Sequence, residues 1–151
     1  MVTNAEMMQL SDTWIRILNK INAMDKCPKN FGSGDLLFFS EIHTIMAIGR
    51  HSGINVTELA RFMGISKSAT SQMISRLLKK NLIEKSQNPQ NNKEINIRLS
   101  AKGMIAYHGH ELHHAKMCSR ITEKLGPVSD DQLQFLIRFL QAIEETSAEC
   151  I

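Results

Sequence analysis

Four of the six histidines in this 151-residue chain fall within seven positions, at His108, His110, His113 and His114. A neutral imidazole ligates divalent metals through a ring nitrogen, and residues four apart on a helix share one face. His110 and His114 have that spacing and together could chelate one ion. The three cysteines, Cys27, Cys118 and Cys150, are odd in number and widely separated. They do not suggest a disulfide framework, and they fit a reducing cytoplasm. Cys27 has Lys26 and Lys29 close by in sequence, and neighbouring cations favour a reactive thiolate. Cys118 and Cys150 read as small apolar or terminal residues.

A second pattern lies in residues 67–80. At about 100° per residue, Ala69, Thr70, Met73, Ile74, Leu77 and Leu78 gather on one half of a helix. Lys67, Ser68, Ser71, Gln72, Ser75, Arg76 and Lys79 take the other half, which holds no carboxylate. A merely solvated face normally mixes charge signs, because opposite charges three or four residues apart support the helix. Ser, Gln, Arg and Lys without an acid suit a polyanion: they donate to phosphates and reach base edges in a major groove. Ser68, Ser71, Gln72 and Arg76 are placed for bases or nearby phosphates, and Lys67 and Lys79 for phosphates.

The charge distribution agrees. The whole chain carries +3, yet residues 50–102 hold ten Lys/Arg against three Asp/Glu, a local charge of +7. Residues 1–49 carry −1 and residues 103–151 carry −3. A basic middle between acidic flanks fits nucleic acid bound at one end of the molecule.

The elements that must position these residues follow from periodicity and caps. Met7, Leu10, Trp14, Ile17, Leu18 and Ile21 have helical spacing. Cys27 to Gly34 reads as a loop, and a helix resumes near Leu37 and stops near Gly49. Asn55-Val56-Thr57-Glu58 is a capping box that opens a short helix to Met63. Gly64 turns the chain, Ser66 caps a second helix from Lys67 to Lys80, and Asn81 ends it in the left-handed conformation. Two short helices joined by a Gly-containing turn make a helix-turn-helix. Leu82 to Lys85 reads as a strand, and Ser86 to Asn92 as turn. Ile95, Ile97 and Leu99 alternate with polar residues as a second strand, so the pair forms a hairpin wing. Ser100 caps a long helix through about Leu125, Gly126-Pro127 breaks it, and Ser129 to Gln132 opens a last helix carrying Leu133, Leu136, Ile137, Leu140 and Ile143.

The residue order then matches a family. Glu41-Ile42-His43-Thr44-Ile45, Thr57-Glu58-Leu59-Ala60, Gly64-Ile65-Ser66-Lys67-Ser68-Ala69-Thr70-Ser71, Leu77-Leu78-Lys79-Lys80-Asn81-Leu82-Ile83 and Leu99-Ser100-Ala101-Lys102-Gly103 together resemble the MarR family of regulators. The resemblance covers nearly the whole chain. It implies a single domain over 1–151: a winged helix-turn-helix lobe at 37–102, with dimerisation helices at 1–25 and 104–148. The expected fold is mainly α with a small β-hairpin wing. The expected function is a homodimeric repressor on a pseudo-palindromic double-stranded operator, released by a ligand or by oxidation. The family's wing usually carries an Asp and, two residues on, an Arg that enters the minor groove. Those positions here are Asn91 and Lys93, and lysine keeps the charge without the planar guanidinium.

Zinc-responsive members of that family place one ligand histidine on the second helix and a His-x-x-x-His pair on the helix after the wing. The matching positions are His43, His110 and His114, which admits a regulatory Zn2+. The remaining ligand there is an acid near the end of the first helix, for which Asp25 and Cys27 are candidates. Where an acid serves their second metal site, this chain has Gly109. Other relatives sense peroxide through a cysteine in the region of Cys27, so a redox switch stands beside the metal. A small apolar or phenolic effector between the dimer helices and the DNA-binding lobe is a third possibility.

Other classes are disfavoured. No nucleophile elbow, P-loop or dinucleotide fingerprint occurs, so the chain is not expected to be an enzyme. A winged helix that binds protein instead would usually lose the acid-free cationic face. No apolar run reaches membrane-spanning length, and Met1 to Trp14 lacks the basic start and apolar run of a secretory signal. A cytoplasmic protein is expected.

Overall fold

A computed structural model of the chain describes residues 3–88 and 91–148, with residues 88, 91–94, 147 and 148 described by their backbone alone. The described residues form six helices and two small antiparallel sheets, arranged as two compact units, Met1–Glu111 and Leu112–Ile151.

In the first unit, helix α1 (Asn4–Met24) starts at a capping box. Thr3 Oγ1 accepts from the Glu6 amide at 3.3 Å, and Glu6 Oε2 accepts from the Thr3 amide at 2.8 Å. The Thr3 amide, and the Thr3 hydroxyl donating to the same Oε2 at 2.8 Å, hold the Glu6 carboxyl below its ordinary range. No α1 residue is buried, and Met7, Leu10, Ile17 and Leu18 are all exposed. The expected loop that follows carries a small hairpin: β1 (Lys29–Asn30) pairs with β2 (Leu36–Leu37). Because Leu37 is engaged in that pairing, helix α2 (Phe39–Arg50) begins two residues later than its apolar spacing suggested.

Helix α3 (Val56–Met63) opens at the expected Asn55–Glu58 box and closes at Gly64, whose φ of 64° is the left-handed conformation glycine adopts without a Cβ clash. Helix α4 (Lys67–Lys79) has its N-cap at Ser66, whose Oγ accepts from the Ala69 amide at 3.1 Å. Asn81 follows with φ 55°, as its small polar side chain permits.

Three strands form the wing sheet in the order β3 (Ile54–Asn55), β5 (Asn91–Leu99), β4 (Ile83–Asn88). The ladder corrects one expectation. Ser86, Gln87 and Asn88, read as turn, continue β4 by pairing with Asn96, Ile95 and Asn91, with an irregularity at Gln87/Asn88. Asn91 and Asn92, also read as turn, belong to β5. Backbone groups take a ladder partner where one is in register, and this outweighs the weak strand preference of Ser, Gln and Asn. Strand β3, unanticipated, adds Ile54 opposite Ile97.

The core lies under the helix-turn-helix: Ile42, Ile45, Ile48, Leu59, Ile74, Leu77, Leu82 and Ile97 are essentially inaccessible. Helix α5 (Ala101–Leu125) starts against this core, and a Cβ at Gly103 would strike the Leu82 carbonyl.

The second unit holds the end of α5 and helix α6 (Asp130–Ala148). Between them Gly126 has φ 74°, and Ser129 and Gln132 cap each other's amides at 2.9 and 3.3 Å. The α6 stripe of Leu133, Leu136, Ile137 and Leu140 is exposed. Among the described residues no helix is long and apolar enough to cross a membrane.

Candidate nucleic-acid interface and histidine pair

Helix α4 divides as its projection requires. Thr70, Met73, Ile74 and Leu77 are buried. Lys67, Ser68, Ser71, Gln72, Ser75, Arg76 and Lys79 are all exposed. Two residues expected on the apolar half depart from it: Ala69 is exposed and Leu78 only half-buried. They flank the buried row rather than form it. Thr70 tolerates burial because its hydroxyl donates to the Ser66 carbonyl at 3.0 Å. Ser75 donates to the Ser71 carbonyl at 2.9 Å, which leaves its oxygen able to accept.

The exposed face of α4 therefore presents four hydroxyl or amide side chains and three cations, with no carboxylate in the helix. Such a face meets both needs of a duplex reader, charge for phosphates and directional donors for base edges. The wing contributes Lys85 and Arg98, both exposed, although Glu84 pairs opposite Arg98 in the ladder. Asn91 and Lys93 stand on β5, and their side chains lie outside the described residues. Sequence reasoning passed over Arg61, exposed in the last turn of α3. Its place outside the buried pair Leu59 and Ala60 was the signal that could have found it.

The histidines separate into unlike environments. His110 is 3% exposed. Its ring meets the edge of the His43 ring with centroids 4.9 Å apart, and the Phe31 ring with centroids 5.1 Å apart. His43, half-buried on α2, also lies 4.1 Å from the Phe39 ring. His114 follows His110 by one turn of the same uninterrupted helix and is half-buried. His108 and His113 are exposed, and His108 Nδ1 lies 3.0 Å from Glu111 Oε2. The dense run thus contributes unequally: His110 turns inward while His108 faces solvent.

Gly109 has a structural reason. A Cβ there would collide with the Phe31 carbonyl, so the loop at Phe31 packs directly on the α5 backbone. An acid cannot replace this glycine without displacing that loop.

Asp25, a candidate ligand, is committed elsewhere. Its Oδ1 accepts from the Ser40 amide at 3.0 Å and the Ser40 hydroxyl at 3.1 Å, serving the start of α2. Cys27 is exposed just beyond the end of α1, and Cys118 is exposed on α5. Cys150 lies outside the described residues.

Residues 39–95 match the family model described as the MarR family. The chain is 30% identical over 119 residues to the HTH-type transcriptional regulator PchR of Bacillus subtilis, covering 79% of this chain and 66% of PchR, just under two thirds of that relative. Among solved structures it is similar to FabT of Streptococcus pneumoniae in complex with DNA, with a TM-score of 0.72, 17% identity and coverage of 95% of this chain and 99% of FabT. It is also similar to ZitR of Lactococcus lactis, described as zinc-responsive, with a TM-score of 0.63, 20% identity and coverage of 91% and 98%. At such identities the likeness to the two structures is one of fold.

Proposed function

We propose that this chain is a member of the MarR family and a sequence-specific DNA-binding transcriptional regulator, a homodimeric repressor whose grip on its operator is modulated by a bound effector. The observation that carries this reading is the exposed, carboxylate-free face of α4. Lys67 and Lys79 serve phosphates near the helix ends, Ser68, Ser71, Gln72, Ser75 and Arg76 serve the groove, and Asn91 and Lys93 serve the wing contact. Homologues named as transcriptional regulators and a winged-helix fold support regulation rather than catalysis.

The homodimer rests on exposed apolar side chains at both ends of the chain, Leu10 and Leu18 on α1 and Leu136 and Leu140 on α6. Contiguous exposed apolar surface marks a partner, and a two-fold pair can set recognition helices about 34 Å apart, one duplex turn. Selection of duplexes from a random pool tests the reading. Recovered sites should be inverted repeats spaced by one turn, and binding should weaken steeply with salt as condensed cations cease to drive it. A pool that enriches no sequence at low salt would overturn it.

The effector favoured by the geometry is a zinc ion held by His43, His110 and His114, each of which offers one ring nitrogen. Borderline-soft Zn2+ prefers such donors. The His43 and His110 rings already meet edge-on with centroids 4.9 Å apart, and His114 follows one turn along α5. The ion would tie α2, which supports the helix-turn-helix, to α5. The zinc-responsive description of ZitR supports the same reading. Cys27, exposed at the end of α1, would serve a redox-responsive alternative.

A further inference from the structure

Lys79 and Lys80 stand side by side at the end of the recognition helix, and sequence reasoning gave only Lys79 a phosphate. The structure separates them. Lys79 is exposed. Lys80 turns inward: its Nζ lies 2.7 Å from Glu41 Oε2, donates to the Leu36 carbonyl at 3.0 Å, and sits 5.9 Å from the centre of the Phe38 ring. Glu41 is 1% exposed, and the same Oε2 accepts from the Phe38 amide at 3.0 Å. One buried carboxylate therefore caps the start of α2 and holds the end of α4.

A second cation completes the fastening. Lys102 Nζ donates to the Lys80 carbonyl at 3.1 Å and pairs with Asp35 Oδ2 at 2.7 Å. Next along the chain, the Asn81 carbonyl accepts from the Ser100 hydroxyl at 2.7 Å. The last turn of α4 is thus tied to α2, to the loop at Asp35–Leu36 and to the start of α5.

We propose that Lys80 and Glu41 are positioning residues for DNA reading: their ion pair, half-buried on the Lys80 side and buried on the Glu41 side, sets the direction in which α4 presents its polar face, and Lys80 touches no phosphate. This rests on the DNA-binding reading above. The underside of α4 is apolar, with Met73, Ile74 and Leu77 buried, and apolar contact is non-directional. Charge-assisted hydrogen bonds are directional, and here they act at the end of the helix, where a small rotation displaces the whole polar face. The same fastening grips the loop from Phe31 to Leu37 at Asp35 and Leu36, while Phe31 rests on His110 and Gly109 at its other end. That loop is consequently a mechanical link between the histidine pair and the recognition helix.

The test is an operator-binding series across salt concentrations, using Lys80→Met, Lys80→Arg, Glu41→Gln and the double variant Glu41→Gln/Lys80→Met. Lys79→Ala and Arg76→Ala serve as reference variants, and urea midpoints verify folding. Lys79→Ala should reduce the salt slope by about one, as loss of a phosphate contact does. Lys80→Met should weaken operator binding at least tenfold and leave the slope unchanged. Lys80→Arg should restore most of the affinity. The double variant should bind no worse than the poorer single, because one interaction is lost in both. If Lys80→Met fails to fold, Glu41→Gln, which keeps the size and an acceptor for Phe38, carries the same slope comparison. A slope lowered by Lys80→Met, or by Lys80→Arg and Glu41→Gln together, overturns the proposal. So does wild-type affinity in Lys80→Met and Glu41→Gln while Arg76→Ala and Lys79→Ala lose it. Wild-type affinity in every variant, references included, would remove α4 as the reading helix, and a wild-type protein that binds no duplex at low salt would remove the DNA-binding reading itself.

Discussion

His110 is 3% exposed and meets the edge of the His43 ring at 4.9 Å, joining α5 to α2. A metal at this pair requires neutral imidazoles, so protons compete with it and its affinity should fall as the pH is lowered. Zinc titration by calorimetry at pH 7.5 and 5.5 checks the sign. His110→Ala should lose binding more than tenfold. His108→Ala, removing an exposed ring paired with Glu111, should leave it unchanged. Equal losses in the two variants would move the site elsewhere on α5. Operator affinity that is the same with excess zinc and with a chelator would end the zinc-effector reading.

Gly109 lets the Phe31 carbonyl lie against the α5 backbone. Gly109→Ala should therefore destabilise the fold by about 1–3 kcal/mol, the usual cost of forcing a packed contact apart. Urea unfolding measures it. Stability equal to wild type would show that the loop gives way freely and cannot serve as a mechanical link.

How much of this was legible in the sequence depends on the range of the interaction. The helix-turn-helix was readable because its signals are local. Asn55 and Glu58 cap over three residues, Gly64 needs its left-handed turn, and the polar row of α4 follows from spacing. The extra length of the wing was not, because Ser86, Gln87 and Asn88 have turn composition and are held in β4 by partners on β5. Lys80 was illegible for the same reason. Nothing near it in sequence announces Glu41, thirty-nine residues away. The histidine spacing was readable, whereas the difference between buried His110 and exposed His108 depends on Phe31 and His43 packing from outside the helix.

Ser66 separates stability from recognition. Its hydroxyl satisfies the Ala69 amide at the start of α4, so Ser66→Ala should cost about 1 kcal/mol of stability. Ser68→Ala, two residues on and exposed, should leave stability within about 0.5 kcal/mol and lower operator affinity instead. Thermal or urea denaturation beside a binding isotherm distinguishes the two. Matching stability losses would mean that Ser68 has an intramolecular role.

Dimerisation can be broken from α6. Leu136 is 50% exposed in the single chain, so a charge there disturbs little within one copy but must be desolvated when two copies pack. Leu136→Glu should shift the sedimentation coefficient to that of a monomer and weaken operator binding, because one recognition helix gives up half of the contacts. A Leu136→Glu protein that still sediments as a dimer would place the interface elsewhere.

Arg76 tests whether the face of α4 reads sequence or only charge. It is exposed in the last turns of α4, on the same side as Gln72 and Lys79. A guanidinium can grip two acceptors of one guanine edge, whereas an ammonium acts as a point charge. Arg76→Ala should cost about 1–3 kcal/mol on the selected operator and relax preference at one position of each half-site. Arg76→Lys should restore the salt slope but not that preference. Competition assays against operators mutated at single positions measure both quantities. If Arg76→Ala weakens every duplex by the same factor, the residue contacts the backbone, and base reading falls to Ser68, Ser71 and Gln72.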